Sequence, residues 1–522
     1  MTISSSPDPV CPFIKDTLPA YQFDAPALHL GGAMFNAVPV SQVPVRLPLR
    51  MLNRHGLITG ATGTGKTVTL QVIAEQLSLA GVPTLLMDLK GDLSGIARPG
   101  TGHPKIDQRM QAIGLPYQPE SIPVEFLSLS KLPGARLRAT VSEFGPQLFS
   151  KMLGLNDTQT GIATVVFKYC DDHGLALVNL DDFRTALNYI RTDAKAEVET
   201  RYGTLSASSA GTILRKLLEL EQQGGDSFFG EPSFDVMDLC RNVNGQGVVS
   251  ILGLKDIQDR PRLFSTFMLS LLAEVYRLFP EAGDLDQPKL VIFIDEAHLI
   301  FKEASDELID QLESIIKLIR SKAVGVYFCT QNPTDIPEAI LGQLGLKVQH
   351  ALRAFTAKDR KAIRLVAENF PASPHYDIET LLTTMGIGEA LVSGLGPKGR
   401  PLPPVHTLLR APVTRLGPLT KPELDQTTAA SPLVPQYAAT LDPESAHDIL
   451  TRKIAAAQNL NQRKSVLQDR TRQTRQASPS PRRRRQKGFL EQVLASSAAR
   501  QVGRTLAREV TRGLLGTLKG RK

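Results

Sequence analysis

Cysteine is scarce in this chain of 522 residues. Cys11, Cys170, Cys240 and Cys329 stand far apart, with no C-x-x-C pair and no histidine at a zinc-site spacing. That excludes a disulfide framework or a structural zinc site as the basis of the fold, and it fits a reducing compartment. Long apolar runs are absent too: no stretch approaches the ~20 residues that a membrane-spanning helix needs. The N-terminus lacks a basic segment leading into an apolar one, so no secretory leader is read there. The expectation is a cytoplasmic protein with a substantial core, its 42% hydrophobic content being ordinary for such a chain. Acidic residues run short only at the C-terminal end. Residues 463–522 hold 17 Lys/Arg against 3 Asp/Glu, a local charge of +14, which leaves about −6 of the total +8 for the rest. The charge pattern is that of a mildly acidic body with a basic tail.

Hydrophobic patterning divides the chain. Residues 1–26 carry Pro and Ser with little periodicity and read as an irregular lead-in. Short strands are expected at 27–30 and 43–47, the second confined to a sheet edge by Pro44. Gly56-Leu-Ile-Thr-Gly60 then reads as a buried strand, 67–79 as a helix and 83–89 as the next buried strand. This βαβ unit predicts a mostly parallel sheet with helices on both faces. Residues 98–245 interrupt the pattern: they read as an insertion that is mostly helical after a strand-like stretch at 123–129. Strands resume at 247–252, 290–294, 325–330 and 347–352, and 389–392 adds another candidate. The expected α/β domain is therefore 27–410. A Pro-rich, then basic, linker of disordered composition follows at 411–487, and an amphipathic basic helix at 488–522.

Three motifs carry chemistry. Gly60-Ala61-Thr62-Gly63-Thr64-Gly65-Lys66-Thr67 satisfies G-x-x-x-x-G-K-[ST] between a strand and a helix, with Val68 next. Its glycines let successive backbone N–H groups face phosphate oxygens, and the following helix adds its N-terminal dipole. Lys66 would neutralise the β- and γ-phosphates of ATP, and Thr67 would ligate Mg²⁺. The run Leu290-Val-Ile-Phe-Ile ends in Asp295-Glu296, placing two carboxylates at a strand C-terminus, where such sheets open their ligand crevice. Asp295 would hold Mg²⁺ through water and Glu296 would polarise the attacking water. Cys329-Thr330-Gln331 ends another buried strand, so Gln331 would reach the γ-phosphate or the lytic water. Asp88 and Lys90 also sit at a strand end, with a contact to Mg²⁺, to the phosphates or to a neighbouring subunit and a structural ion pair all open. Arg320 closes a helix just before the Gln331 strand.

Asp295-Glu-Ala-His298 suggests a DEAH-box helicase, but Lys66 and Asp295 lie 229 residues apart, and the S-A-T and Q-x-x-G-R-x-G-R motifs are missing. An ABC ATPase is disfavoured too, since no L-S-G-G-Q precedes the Asp295 strand. The strings NRHGLITGATGTGKT, DLKGDLSGIA, PKLVIFIDEAHLIF and RSKAVGVYFCTQNPTDIPEAILGQLGLKVQHALRAF instead resemble the HerA branch of the FtsK–HerA class of ring ATPases, in particular its YjgR-type bacterial members. The resemblance runs from about Leu30 to the C-terminus. It implies a RecA-like P-loop core, a homo-oligomer (a hexamer) and ATP hydrolysis coupled to moving a polymer, usually DNA, through a pore. It also implies that Arg320 reaches the neighbouring subunit's active site. Only about 55 residues precede the P-loop strand, too few for the N-terminal β-barrel of the DNA-end-processing members.

Two classes of cargo stay open on these residues. One is DNA, in a translocase or helicase-like motor. The other is protein or membrane-associated machinery, as in conjugation and secretion ATPases, with a low-turnover nucleotide switch as a further alternative. In the tail, Arg500, Arg504, Arg508 and Arg512 fall on one helical face opposite Val502, Leu506, Val510 and Leu514, which suits DNA or an anionic membrane surface.

Overall fold

The computed structural model describes residues 10–476 apart from 131, 258, 259, 284, 302–305, 440 and 442. The amphipathic helix expected at 488–522 lies outside the described residues. The chain forms two compact units, the first running to Lys453 and the second from Ile454. Of the second, the described part belongs to a helix, Ala446–Gln476, so the basic part of the linker expected at 411–487 is helical as far as Gln476.

A twelve-stranded sheet organises the first unit. In chain order its strands are β1 Ala27–Phe35, β2 Val38–Pro48, β3 Gly56–Thr59, β4 Thr84–Asp88, β5 Val124–Ser128 and β6 Ala135–Arg136. They continue as β7 Val249–Gly253, β8 Leu290–Ile294, β9 Val324–Thr330, β10 Leu346–Gln349, β11 Glu389–Ser393 and β12 Val405–Leu409. The spatial order is β2-β1-β12-β11-β10-β3-β9-β8-β4-β7-β5-β6. From β10 to β6 every neighbouring pair is parallel, whereas β11, β12, β1 and β2 extend the sheet as antiparallel strands. β2 forms one edge and carries Pro39, Pro44 and Pro48, residues that cannot donate to a ladder on both sides.

The central strands read as unbroken apolar runs because both faces are covered. Along β8, Leu290, Ile292 and Ile294 enter one core while Val291 and Phe293 enter the other. On the second face packs the P-loop helix Lys66–Leu79, through Leu70, Ile73, Ala74 and Leu77. On the first pack the helices Pro261–Leu278 and Asp306–Ile319, together with the helical insertion. That insertion is narrower than the sequence suggests. Its five helices span Val141–Met152, Asp157–Asp172, Leu180–Arg191, Lys195–Arg201 and Ala207–Gln222, while β5 and β6 belong to the main sheet. No described helix is long and apolar enough to cross a membrane.

Two segments read as irregular are built into the body. Val10–Tyr21 is a helix despite Pro12 and Pro19, because Phe13, Thr17 and Tyr21, one turn apart, are buried on one face. Phe13 stacks on Phe35 of β1 with ring centroids 5.1 Å apart, and Tyr21 Oη donates to Pro403 O. Residues 411–419 are not a linker either. Glu75, fully buried on the P-loop helix, accepts the backbone N–H groups of Val413 and Thr414 and the Thr414 hydroxyl. Gln71, one turn earlier, donates to Thr414 Oγ1 and Arg415 O.

That clasp titrates. Burial pushes the Glu75 carboxyl from 4.5 up to about 7, against the hydrogen bonds from Val413 and Thr414, which favour the charged form. The folded protein therefore keeps this proton to higher pH than the unfolded chain, and the stability it confers is lost as pH rises from 4.5 to about 7. Denaturant unfolding should show wild type losing about 3 kcal/mol relative to Glu75→Gln over that interval. Parallel pH profiles for the two proteins would show instead that folding leaves the Glu75 pKa unchanged.

Candidate functional site

The P-loop follows the last residue of β3 and leads into the helix Lys66–Leu79. Gly60, Gly63 and Gly65 have φ of 151°, 78° and 113°, a region that side-chain-bearing residues avoid. At Gly60 the requirement is also steric, since a Cβ would lie 2.5 Å from His350 Cβ. The loop is pinned by the segments just after β10 and just before β11: Ala61 N donates to Ala351 O, and Thr64 O accepts from Gly388 N. Thr62 and Gly63, at the loop's tip, are exposed. Lys66 folds back, its Nζ donating to Gly60 O (2.8 Å) and Ala61 O (3.1 Å). Burial lowers the pKa of this ammonium, while Cys329, Glu296 and Asp295 oppose that shift.

Asp295 and Glu296 follow β8, beside the loop after β4 and the end of β9. Asp295 is buried; desolvation lifts its carboxyl to about 6 against the pull of Lys90. Glu296 has a φ of 46°, unusual strain for a residue with a side chain. Its Oε1 lies 2.5 Å from Lys90 Nζ, and His298 Nδ1 is 3.3 Å from Oε2. Asp295 Oδ2 is a buried oxygen without a hydrogen-bond donor among the described residues. An oxygen so placed fits a group brought in by a ligand.

Gln331 comes one residue after Thr330, the register partner of Thr59, so it stands level with Gly60. It lines a cavity of about 570 Å³ together with Ala61 and Thr62. Val68 lines a smaller apolar cavity of about 230 Å³ on the other side of Gly65, where it is joined by Ile387 and Pro412. Lys66, Thr67, Asp295, Glu296 and Gln331 thus all belong to one end of the parallel sheet. Arg320 does not. It is exposed, between the helix Asp306–Ile319 and the start of β9, and its charge acts on His55, which precedes β3. Strand β9 separates it from Gln331, seven residues at about 3.3 Å each. The opposite edge of the sheet is beyond the reach of one side chain.

A model of the helicase HerA-like C-terminal family matches residues 36–522. The chain belongs to that family. Among similar proteins is the DNA double-strand break repair helicase HerA of Sulfurisphaera tokodaii, 23% identical over 365 residues, 68% of this chain and 65% of that protein. The protein of the same name from Sulfolobus acidocaldarius is 21% identical over 363 residues, with the same coverage. The chain thus spans 65% of the length of these two relatives. Among solved structures, the bacterial conjugative coupling protein TrwBdeltaN70 in its unbound form matches with a TM-score of 0.48 and 15% identity, over 75% of this chain and 96% of that one.

This HerA-like chain also uses residues that no motif announces. His350, fully buried, shares a 2.9 Å hydrogen bond with Thr69 of the P-loop helix, and burial holds it down at about 4, so it stays neutral. Arg109 donates to Gly388 O, Leu409 O and Ile387 O, and so braces the turn that carries the Gly388 contact to the P-loop. Asp88 is a turn carboxylate: it accepts the N–H groups of Gly91, Asp92 and Leu93, which leaves Lys90 as the group that meets Glu296.

Proposed function

We propose that this chain is an ATP-hydrolysing subunit of a HerA-like ring motor, a homo-hexamer that couples hydrolysis to movement along DNA. The observation that carries this reading is the split of the catalytic set. Lys66, Asp295, Glu296 and Gln331 gather at one end of the sheet, while Arg320 sits at the other, so the site is complete only with an arginine from a second copy.

In this reading the loop N–H groups and Lys66 hold the triphosphate of ATP. The ammonium exchanges the carbonyls of Gly60 and Ala61 for phosphate oxygens. The Thr67 hydroxyl, directly, and the Asp295 carboxylate, through water, would hold Mg²⁺, which would neutralise phosphate charge. Glu296, held by Lys90, orients the water that attacks the γ-phosphate and draws off its proton. Gln331 meets the γ-phosphate from the end of β9. The name of the two HerA relatives supports DNA as the polymer. Steady-state ATPase rates of the full chain, alone and with duplex DNA, single-stranded DNA or anionic liposomes, test the assignment. Stimulation by DNA is expected; stimulation by liposomes alone would move the motor to membrane-associated machinery, and no turnover in any arm would leave a nucleotide switch.

A further inference from the structure

Phe355 is 87% exposed, the most exposed of the large apolar side chains among the described residues. Its backbone is nevertheless fixed. Asp359 accepts the N–H groups of Phe355 and Thr356, at 3.0 and 2.8 Å, and Thr356 Oγ1 accepts Asp359 N, which closes a capping box at the start of the helix Ala357–Glu368. The helix turns Ile363 and Val366 inward. Outward it presents Lys358, Arg360, Lys361 and Arg364, with Arg353 just before it. Residues 353–364 carry a local charge of +4 on a body whose first 462 residues sum to about −6. Arg364 is paired with Glu368 at 3.4 Å. Arg353, Lys358, Arg360 and Lys361 make no ion pair among the described residues, and the one carboxylate in their midst, Asp359, is committed to the cap.

We propose that Arg353, Phe355, Lys358, Arg360 and Lys361 form a contact surface for a nucleic-acid strand. The cations meet successive phosphates and the Phe355 ring stacks on a base. This rests on the reading of the chain as a DNA motor and says where on the subunit the DNA is held. An exposed aromatic ring set among unpaired cations is the pattern that single strands recognise, because every base offers a stacking face while the backbone offers charge. Position adds the coupling. Arg353, Phe355 and Lys358 line the same 570 Å³ cavity as Ala61 and Thr62 of the P-loop and Gln331. A change at the γ-phosphate therefore has a direct route to the strand, through the wall of one cavity.

The test uses the full chain, a labelled single-stranded oligonucleotide and its duplex, and a salt titration. In Arg353→Gln/Lys358→Gln/Arg360→Gln/Lys361→Gln the slope of log K against log salt should fall by about 3, at ~0.7–0.9 per lost phosphate contact. Phe355→Ala should weaken single-strand binding roughly 5- to 100-fold, with the salt slope unchanged. In both, DNA stimulation of ATPase should drop while ATPase without DNA and the oligomer size hold. Wild-type binding and slope in the quadruple variant would overturn this surface, with the DNA reading intact. A smaller assembly in either variant would reassign the surface to the ring interface. Retained DNA binding with lost binding to phosphatidylserine vesicles would reassign it to a membrane. No salt-dependent binding of either oligonucleotide by wild type would remove the DNA reading itself.

Discussion

Glu296→Gln is expected to bind ATP about as well as wild type and to hydrolyse it about 10²- to 10⁴-fold more slowly. The substitution keeps the shape that packs at the end of β8 but removes the charge that draws the proton from the attacking water. It also removes the partner of Lys90, 2.5 Å away, so less negative charge holds that ammonium back from a bound triphosphate. Nucleotide affinity should therefore stay level or rise while turnover falls. Lys66→Ala differs in kind: it deletes the charge that folds onto Gly60 O and Ala61 O, and nucleotide binding should weaken with it. Equilibrium binding of a fluorescent ATP analogue, set beside single-turnover hydrolysis, separates the two. Equal hydrolysis by Glu296→Gln and wild type would take Glu296 out of the chemical step.

Arg320→Ala should lower turnover about 10³- to 10⁵-fold, the range an arginine at the γ-phosphate contributes in other P-loop enzymes. The structure gives this expectation a sharper form. Because Arg320 lies by His55 at the start of β3 and β9, it has no path to Lys66 of its own chain. Mixing inactive Lys66→Ala subunits with inactive Arg320→Ala subunits should then recover activity, since some interfaces pair an intact P-loop with an intact arginine. Mixtures that stay dead while mixed rings form would show that Arg320 does not act across the interface.

The parts of the fold legible in the sequence are those whose signal is local. Leu290–Ile294 is apolar at every position because both of its faces are covered, and Gly60-to-Thr67 has its meaning within eight residues. Even Pro44 placed β2 at the sheet edge through what it cannot donate. What was not legible depends on partners far along the chain. Val10–Tyr21 is a helix because Phe13 finds Phe35 and Tyr21 finds Pro403, not because its own residues favour one. Residues 411–419 have the composition of a linker, and partners more than 300 positions earlier, Glu75 and Gln71 among them, make them part of the core. His350 lies in a family-like stretch that gives it no role, and Arg109 stands in no motif. Their roles come from Thr69 and Gly388, and single-sequence pattern carries no trace of such pairings.

The clasp of Glu75 on Val413 and Thr414 has a consequence for how the protein is made. The P-loop helix leaves the ribosome early, but 339 residues separate Glu75 from Thr414. At ~5–20 residues per second that interval lasts roughly 17 to 70 seconds. The same delay applies to β1, whose partner β12 lies at Val405–Leu409. Throughout that time the buried carboxyl has no amide to accept from, and the nucleotide-binding loop lacks the Gly388 contact that pins it. A nascent chain halted before residue 405 should therefore present an open sheet edge to chaperones and to its neighbours on the polysome, and gain its grip on ATP only as the last strand is threaded into place.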